Sequence, residues 1–590
     1  MGERRVAILY GSQTGCAQDV AERLWREAKY YGLHGPVLPM DDYPIHELIH
    51  ETKVIFVCST TGQGDDPDNM KKFWKFLLKR SLPSNSLNKM NFAVLGLGDS
   101  SYLKFNFCAK RLYRRLLQLG AQSLVEPGYA DDQHDLGADA VIHPWISNLW
   151  KTLSHFIPSL EACFNYELPL FPPRWSVTTC DDRSASLGNI EEADLKQTNS
   201  ARVTCIHNER VTAPDHFQDT RFIKFTLNNL KYVPGDVLSV KPNNSAENVR
   251  KFFDLFGDRV NEINPDVVVM VAEISADMPV PFALRKPVNL NILASQYWDL
   301  NMVPRRYAFE LLSHFTDSDL EREKLKEFVS AAGQDELYTY CNRPKRTILE
   351  VLADFPHATA NFPLGYFFEL FQPIRPRAFS IASSPSIHVC EIHILVAVVK
   401  YKTNLKAPRL GLCSNWLASM RPNDSVIIQL KAGSFSFPVE KKIPSIMIGP
   451  GTGIAPFRSY VFEVSNDENF PKNYIFFGNR YENADFYFKN DWHTLQSQGK
   501  IGIFTAFSRD LDHKVYVQHI IEQNGQFLAD LIATKSAYIF VAGNSKNMPD
   551  AVRKAFVSNY AIYEGIDEIA AENFFQTLEQ KGRYQTETWS

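Results

Sequence analysis

The chain has 590 residues, is 45% hydrophobic and 22% charged, and carries a formal net charge of −4. Such a length exceeds one hydrophobic core and predicts two to four domains. The near-neutral charge excludes a general attraction to nucleic acid, and no apolar run approaches the roughly 18–20 residues of a membrane span. The opening is not of signal-peptide type, because its apolar run gives way at Gly11 to a hydroxyl-rich turn, so no membrane anchor is expected. Nine cysteines form no C-x-x-C pair, which argues against a metal site. Their scattered placement fits a reducing compartment, the cytoplasm by default. Nothing in the pattern sets the oligomeric state.

From residue 5 to residue 150, strand-like runs (RVAILY, VIFVCST, NFAVLGL, SLVEP) alternate with helix-like runs at Ala17–Tyr31, Asn69–Arg80 and Phe105–Leu119. This alternation predicts a parallel sheet wrapped by helices, with ligands at the loops that follow the strands. Three of those loops stand out: GSQTGCA, STTGQGDDPDN and GLGDSSYLKFN. The first is shaped like a phosphate loop, yet it has no lysine or arginine between Gly11 and Glu22. Hydroxyls and backbone N–H groups at a helix N-terminus would have to hold the anion. Taken singly, each loop is most simply a surface turn; three in order suggest an enclosed flat ring, with Tyr102 as a stacking face. Asp65, Asp66, Asp68, Asp99, Asp131, Asp132 and Asp135 crowd the same region. They read either as solvated loop or as an acidic docking rim for an electron-accepting partner.

Residues 151–200, with LPLFPPRWS and a polar run, read as a linker. Short alternating strands are expected from 201 to 244, helices over about 246–365, and strands again from Arg377 to Phe437. After residue 443 the strand–helix alternation resumes. Two clusters fall here. RPRAFSIASS, Arg375–Ser384, is followed about thirty residues on by GLCSNWL, Gly411–Leu417. GPGTGIAPF, Gly449–Phe457, is a glycine turn between strand and helix, and SRDLDHKVYVQ places Ser508, Arg509, Lys514, Tyr516 and Gln518 close together. Two cations and two hydroxyls suit a ribose 2′-phosphate.

The first three loops resemble the FMN domain of diflavin reductases. The resemblance implies FMN contacts at Ser12, Gln13, Thr14, Gly15, Cys16 and Ala17 in the first loop, and at Thr60, Thr61, Gly62, Gln63 and Gly64 in the second. The third loop would add Gly96, Leu97, Gly98, Asp99, Tyr102, Phe105 and Asn106, with Asp132 beyond it. Thr61 stands where many relatives have an aromatic, which leaves ring stacking to Tyr102. The second cluster resembles the FAD-binding elements of ferredoxin reductases, implying contacts at Arg377, Ala378, Phe379, Ser380, Gly411, Leu412, Cys413 and Ser414. The third resembles their NADP loop, with Gly451 and Thr452 joining the 2′-phosphate group. The terminal residues Glu587 and Trp589 then fall, with Ser380, at the hydride-transfer site. Ala542 and Asn544 replace the Cys and Asp usual there.

Taken whole, the chain resembles a diflavin reductase, and within that family the NADPH-dependent branch of cytosolic iron–sulfur protein assembly. The implied fold class is multidomain α/β: a flavodoxin-like FMN domain (1–150), a linker (151–200), a ferredoxin-reductase-like β-barrel with a helical insertion (201–440) and an α/β NADP-binding domain (441–590). The implied activity passes electrons from NADPH through FAD and FMN to a one-electron acceptor, an iron–sulfur protein of the anamorsin type. Haem or quinone acceptors, or a flavoprotein scaffold with weak catalysis, remain as alternatives.

Overall fold

The computed structural model describes residues 4–102, 104–156, 169–180, 188–227, 230–259, 262–438, 443–467 and 471–589. The chain forms two compact units, one from residues 1–189 with 246–373 and the other from 190–245 with 374–590.

The first unit is built on a parallel sheet. Strands β1 (Ala7–Gly11), β2 (Val37–Pro39), β3 (Lys53–Ser59) and β4 (Asn91–Gly98) lie in the order β2-β1-β3-β4, and β5 (Gln122–Ser123) and β6 (Gly128–Asp131) both pair with β4. Ile8 faces Val37, Leu9 faces Phe56, Val57 faces Leu95 and Leu97 faces Ala130. The strands read as unbroken apolar runs because both faces are covered. Helices α1 (Cys16–Tyr30) and α4 (Asp139–Phe156) cover one face with Leu24, Trp25, Ile146 and Trp150. Helices α2 (Lys71–Leu77) and α3 (Phe107–Gln118) cover the other with Phe73, Trp74, Cys108 and Leu112.

Three expectations are corrected here. The helix expected over Asn69–Arg80 is confined to Lys71–Leu77. SLVEP is not one strand; the ladder stops at Ser123 and resumes at Gly128. The segment expected to be linker contains a strand, Trp175–Thr179, paired antiparallel with Val268–Glu273 of the insertion. Residues 157–168 and 181–187 of that segment lie outside the described residues.

The insertion is mainly helical, as its sequence predicts, but it also holds the strands Val268–Glu273 and Val288–Asn289, which lie outside that expectation. Its helices include Ala246–Leu255, Arg306–Phe315, Asp319–Val329 and Ile348–Asp354, the last opened by a Thr347–Glu350 capping box. Phe252, Trp298, Phe367 and Phe371 form its aromatic centre, with ring centroids 5.5–6.0 Å apart.

Besides a two-stranded sheet pairing Lys400–Tyr401 with Arg409–Leu410, the second unit has, among the described residues, two large sheets. One is antiparallel, in the order Arg377–Ser380, Val237–Val240, Ser425–Lys431, Ser200–Arg210, Thr220–Thr226, Glu391–Ala397. A bridge between Ile381 and Ile394 joins its two edges, closing it into a barrel. The other is parallel, in the order Ile501–Phe507, Asn473–Asn479, Ser445–Ile448, Tyr538–Asn544, Tyr584–Trp589. In that last pairing Ala542 faces Glu587 and Asn544 faces Trp589. Among the described residues no helix is long and apolar enough to cross a membrane.

Candidate functional sites

The phosphate-type loop sits at the C-terminal end of β1, where a parallel sheet presents ligands. Gly15 caps α1 in the left-handed region (φ 95°) and offers no side-chain acceptor to the first-turn amides, so a bound anion can take them. The rest of the loop is braced from within. The Gly15 amide donates to Ser12 Oγ (3.0 Å), and the Ser12 amide donates to Asn69 Oδ1 (2.8 Å). Gln13 exchanges two bonds with Asp68: its Nε2 donates to the carboxylate (3.2 Å) and its Oε1 accepts from the Asp68 amide (3.0 Å). The Gln13 side chain therefore ties the first loop to the second. Asn69, whose side chain accepts from the Ser12 amide, is the last residue of the second loop's motif STTGQGDDPDN.

Thr61 and Asp65 close the second loop by mutual backbone bonds, Thr61 N to Asp65 O at 3.0 Å and the return bond at 2.8 Å. The Thr61 hydroxyl also donates to the Asp65 carbonyl (3.1 Å), so threonine here is a loop staple in the place of an aromatic. Thr60 Oγ1 accepts from the Cys108 amide. In the third loop Asn106 is fully buried; its Nδ2 donates to Ala130 O (2.9 Å), while among the described residues its Oδ1 finds no partner. A Cβ on Gly96 or Gly98 would come within 3.0 Å of that amide, so both positions need glycine. Tyr102 and Phe105 are half-exposed beside it. A cavity of about 610 Å³ is lined by Cys16, Leu97 and Asp132 together with Arg305, Arg306 and Lys345 of the insertion. Uncapped amides, an orphaned buried carbonyl oxygen and a cavity of this size fit a phosphorylated flavin.

The acidic rim is only partly what the sequence suggests. Asp66 is an internal ion-pair partner: its Oδ1 accepts from Arg111 (2.6 Å) and from the Cys108 thiol (3.1 Å). Burial, then Asp66, pushes that thiol up to about 12. Asp68 pairs with Lys71 at 2.7 Å. Burial would raise the Asp131 carboxyl, but bonds from Ser100 and Gln133 outweigh it and hold it below the usual range. Asp65, Asp132 and Asp135 are exposed.

In the barrel, Arg377–Ser380 forms an edge strand whose residues are all at least partly exposed, with Phe379 packed against the barrel core. Arg377 donates to the Arg375 carbonyl. Gly411 caps the helix Leu412–Ser419 without a side-chain bond, leaving its first-turn amides available. The side chains of this element turn inward. Cys413 is buried, its thiol pushed up to about 12 by burial. Ser414 Oγ accepts from the Val399 amide (3.0 Å). Leu412 is buried likewise, so this element offers backbone and Arg377 offers charge. A guanidinium and helix amides fit a pyrophosphate.

Ser380 Oγ donates to Glu587 Oε1 (3.0 Å), and Ser434 Oγ donates to Oε2 of the same carboxylate (2.5 Å). Two residues earlier on the terminal strand, Gln585 takes the Ser436 amide on its Oε1 (2.8 Å) and returns Nε2 to the Ser436 carbonyl (2.9 Å). With period 2, Gln585, Glu587 and Trp589 share one face. Trp589 packs on the apolar core containing Phe540 and Ala542, and its carbonyl accepts from the Ser545 amide (2.9 Å). The chain end is thus tied down. Ser434 is a residue that sequence reasoning missed. Ala542 is fully buried, and Asn544 is exposed with its Oδ1 accepting from the Lys546 amide.

The glycine turn of the parallel sheet places Gly451 at φ 58°, where a Cβ would meet nothing within 4 Å, so space for a ligand lies against Gly451 and Thr452. Arg509, Lys514 and Tyr516 are exposed and Gln518 is half-exposed, while Ser508 is buried. The Ser508 and Arg509 amides donate to the carbonyls of Asn479 and Arg480, which fixes the start of that loop beside the end of the strand Asn473–Asn479.

Three family models match the chain in order. Flavodoxin matches residues 8–145, the FAD binding domain 193–416 and the oxidoreductase NAD-binding domain 447–554. Relatives called NADPH-dependent diflavin oxidoreductase 1 are 47% identical in Xenopus laevis and 45% in Danio rerio, each over 100% of both chains. The counterpart from Schizosaccharomyces pombe is 35% identical, again over 100% of both. Identity at this level, end to end, leaves one conclusion: the chain belongs to the NADPH-dependent diflavin oxidoreductase family.

Proposed function

We propose that this enzyme passes electrons from NADPH through FAD and FMN to an iron–sulfur protein of the anamorsin type, in cytosolic iron–sulfur protein assembly. The oxidoreductase activity and its three cofactors rest on one observation: flavodoxin, FAD-binding and NAD-binding modules follow one another in a single chain that matches its diflavin relatives over their full length. Two flavins in one chain supply the conversion between a hydride donor and a one-electron acceptor.

The chain's own residues have distinct tasks in this reading. Arg509, Lys514, Tyr516, Ser508 and Gln518 hold the 2′-phosphate, with the two exposed cations giving charge-assisted bonds. Gly451 and Thr452 leave room for the pyrophosphate. Arg377 and the amides of Gly411–Ser414 hold the FAD pyrophosphate, with Ala378 and Phe379 lining the ring. Ser380, fixed by Glu587, presents its hydroxyl at the hydride-transfer site, and Trp589 covers that site from the terminal strand. On the FMN side, the Ser12–Ala17 loop would hold the phosphate, and Thr60–Gly64, Gly96–Asp99, Tyr102, Phe105, Asn106 and Asp132 would hold the rest of the flavin.

The acceptor half of the proposal is supported by the resemblance and by the exposed carboxylates Asp65, Asp132 and Asp135 around the flavin loops, which suit a basic docking patch. The eight described cysteines are all free thiols, in keeping with a reducing compartment. The test is anaerobic: NADPH, catalytic enzyme and either an anamorsin-type iron–sulfur protein, a b-type haem protein or a quinone, with reduction followed spectrally. Reduction of the iron–sulfur protein at least tenfold faster than the others, and slowed by salt, is expected. Preferential reduction of the haem protein or quinone would replace the proposed acceptor.

A further inference from the structure

Resting on the phosphate-loop reading above, we infer that Arg305 of the helical insertion supplies the positive charge this loop lacks, and so sets the preference for phosphorylated flavin over riboflavin. The loop has no cation of its own between Gly11 and Glu22. The structure brings one from 290 residues away. Arg305 Nη1 donates to the Gly15 carbonyl (2.8 Å), Nη2 lies 3.8 Å from Cys16 Sγ, and the guanidinium is 3.3 Å from Asp19 Oδ1. Gly15 and Cys16 are the cap and first residue of α1. Arg305 also lines the cavity that Cys16, Leu97 and Asp132 line.

Asp19 makes this charge matter. A carboxylate in the first turn of α1 would repel a dianionic phosphate at the same helix end. Arg305 pairs with it while keeping its fork against the loop, so the helix end stays favourable to an anion. The side chain is held from its root. Pro304 precedes it, its own backbone is extended (φ −88°, ψ 165°), and a helix begins at Arg306. The next two residues dock on the same helices: Arg306 bonds His143 of α4, and the Tyr307 ring lies 3.7 Å beneath the Arg26 guanidinium of α1. Arg305 is thus the first of three consecutive anchors. Because the charge arrives with the insertion, phosphate binding and the docking of the insertion on α1 strengthen each other reciprocally.

The experiment uses the full chain depleted of FMN but not of FAD, titrated with FMN and with riboflavin and read by flavin fluorescence. Arg305→Ala should weaken FMN roughly 10- to 100-fold, the range of a charge-assisted contact, and leave riboflavin within about twofold. Arg305→Lys should recover part of the loss, and a melting curve checks that both variants fold. Thr14→Ala serves as the loop's own control. If Arg305→Ala leaves the FMN-to-riboflavin ratio at the parent value while Thr14→Ala lowers it, the inference falls and the loop reading stands. If neither variant moves the ratio, the loop reading itself is wrong. Equal weakening of both flavins by Arg305→Ala would make the residue a structural anchor only and overturn the inference.

Discussion

At the scale of single residues, the proposed hydride-transfer site shows how a carboxylate is held in place. Glu587 receives two hydroxyls, Ser380 on one oxygen and Ser434 on the other, so neither oxygen can rotate away without losing a bond. Glu587→Ala frees the Ser380 hydroxyl, and the loss of a bond to a charged acceptor is worth about 1.5–3 kcal/mol. FAD reduction by saturating NADPH, read by stopped flow, should slow roughly 10- to 100-fold, with a larger primary isotope effect from deuterated NADPH. Ser434→Ala leaves one bond and should slow it less than tenfold. An unchanged rate in Glu587→Ala would remove the carboxylate from the step. The resemblance put Glu587 in one group with Ser380, and the structure joins the two by a hydrogen bond. Ser434 was not legible in the sequence, since a serine in an irregular segment has no pattern, and its role exists only once the terminal strand is clamped over it by Gln585. Cys413 and Ser414 add the complementary case: the motif gives the backbone N–H groups a task, and the structure adds that their side chains turn inward.

At the scale of elements, the long apolar strands and the well-formed helices α1 and α3 were legible, because period and burial coincide. The short strands β2, β5 and β6 were not; two to four residues carry too little pattern, and pairing decides them. The strand Trp175–Thr179 escaped for a related reason, as its partner lies in a distant insertion. Helix α4 illustrates what such packing creates. His143 sits between Arg23 of α1 and Arg306 of the insertion, with Asp139 4.0 Å away. Burial first, then the two guanidiniums, hold the imidazole down to about 2 from its usual 6.5. A histidine depressed in the folded state contributes stability that is complete above pH 6.5 and lost as pH falls below it. The native protein should therefore lose up to about 1.4 kcal/mol per pH unit below 6.5 from this one site. His143→Gln should flatten that part of the profile, measured as denaturant midpoints between pH 7.5 and 5. An identical slope in the variant would assign the acid sensitivity elsewhere, the similarly depressed His393 being the next candidate.

At the scale of the whole molecule, the order of modules was legible and the partition of the chain was not. Nothing local in the sequence says that residues 246–373 pack with the flavodoxin half, because that choice is made by long-range contacts. Charge carries much of it. Arg174 bonds Glu369 of the insertion at 2.9 Å and Glu22 of α1 at 3.0 Å, and Arg26 of α1 lies 3.6 Å from the same Glu369. All four are largely buried. Burial works to raise the Glu369 carboxyl, but Arg174 and then Arg26 outweigh it and keep it below the ordinary glutamate range. A buried ion cluster of this kind adds little net stability over an apolar one, yet losing one member leaves a partner's charge stranded, at a cost of about 3–5 kcal/mol. Arg174→Met should accordingly destabilise the first unit by about that amount. The double variant Arg174→Met, Glu369→Gln should recover part of it, since the most deeply buried carboxylate is gone. The functional consequence follows from what the cluster joins. If flavodoxin and insertion must part for the FMN to meet a protein acceptor, weakening their seam favours the open arrangement. Arg174→Met should then raise the rate at which pre-reduced enzyme delivers electrons to an external acceptor, while FAD reduction by NADPH, whose proposed site residues lie in the other unit, stays unchanged. Lower stability with no gain in delivery would mean that the seam stays shut during turnover, and that the acceptor reaches the flavin by another face.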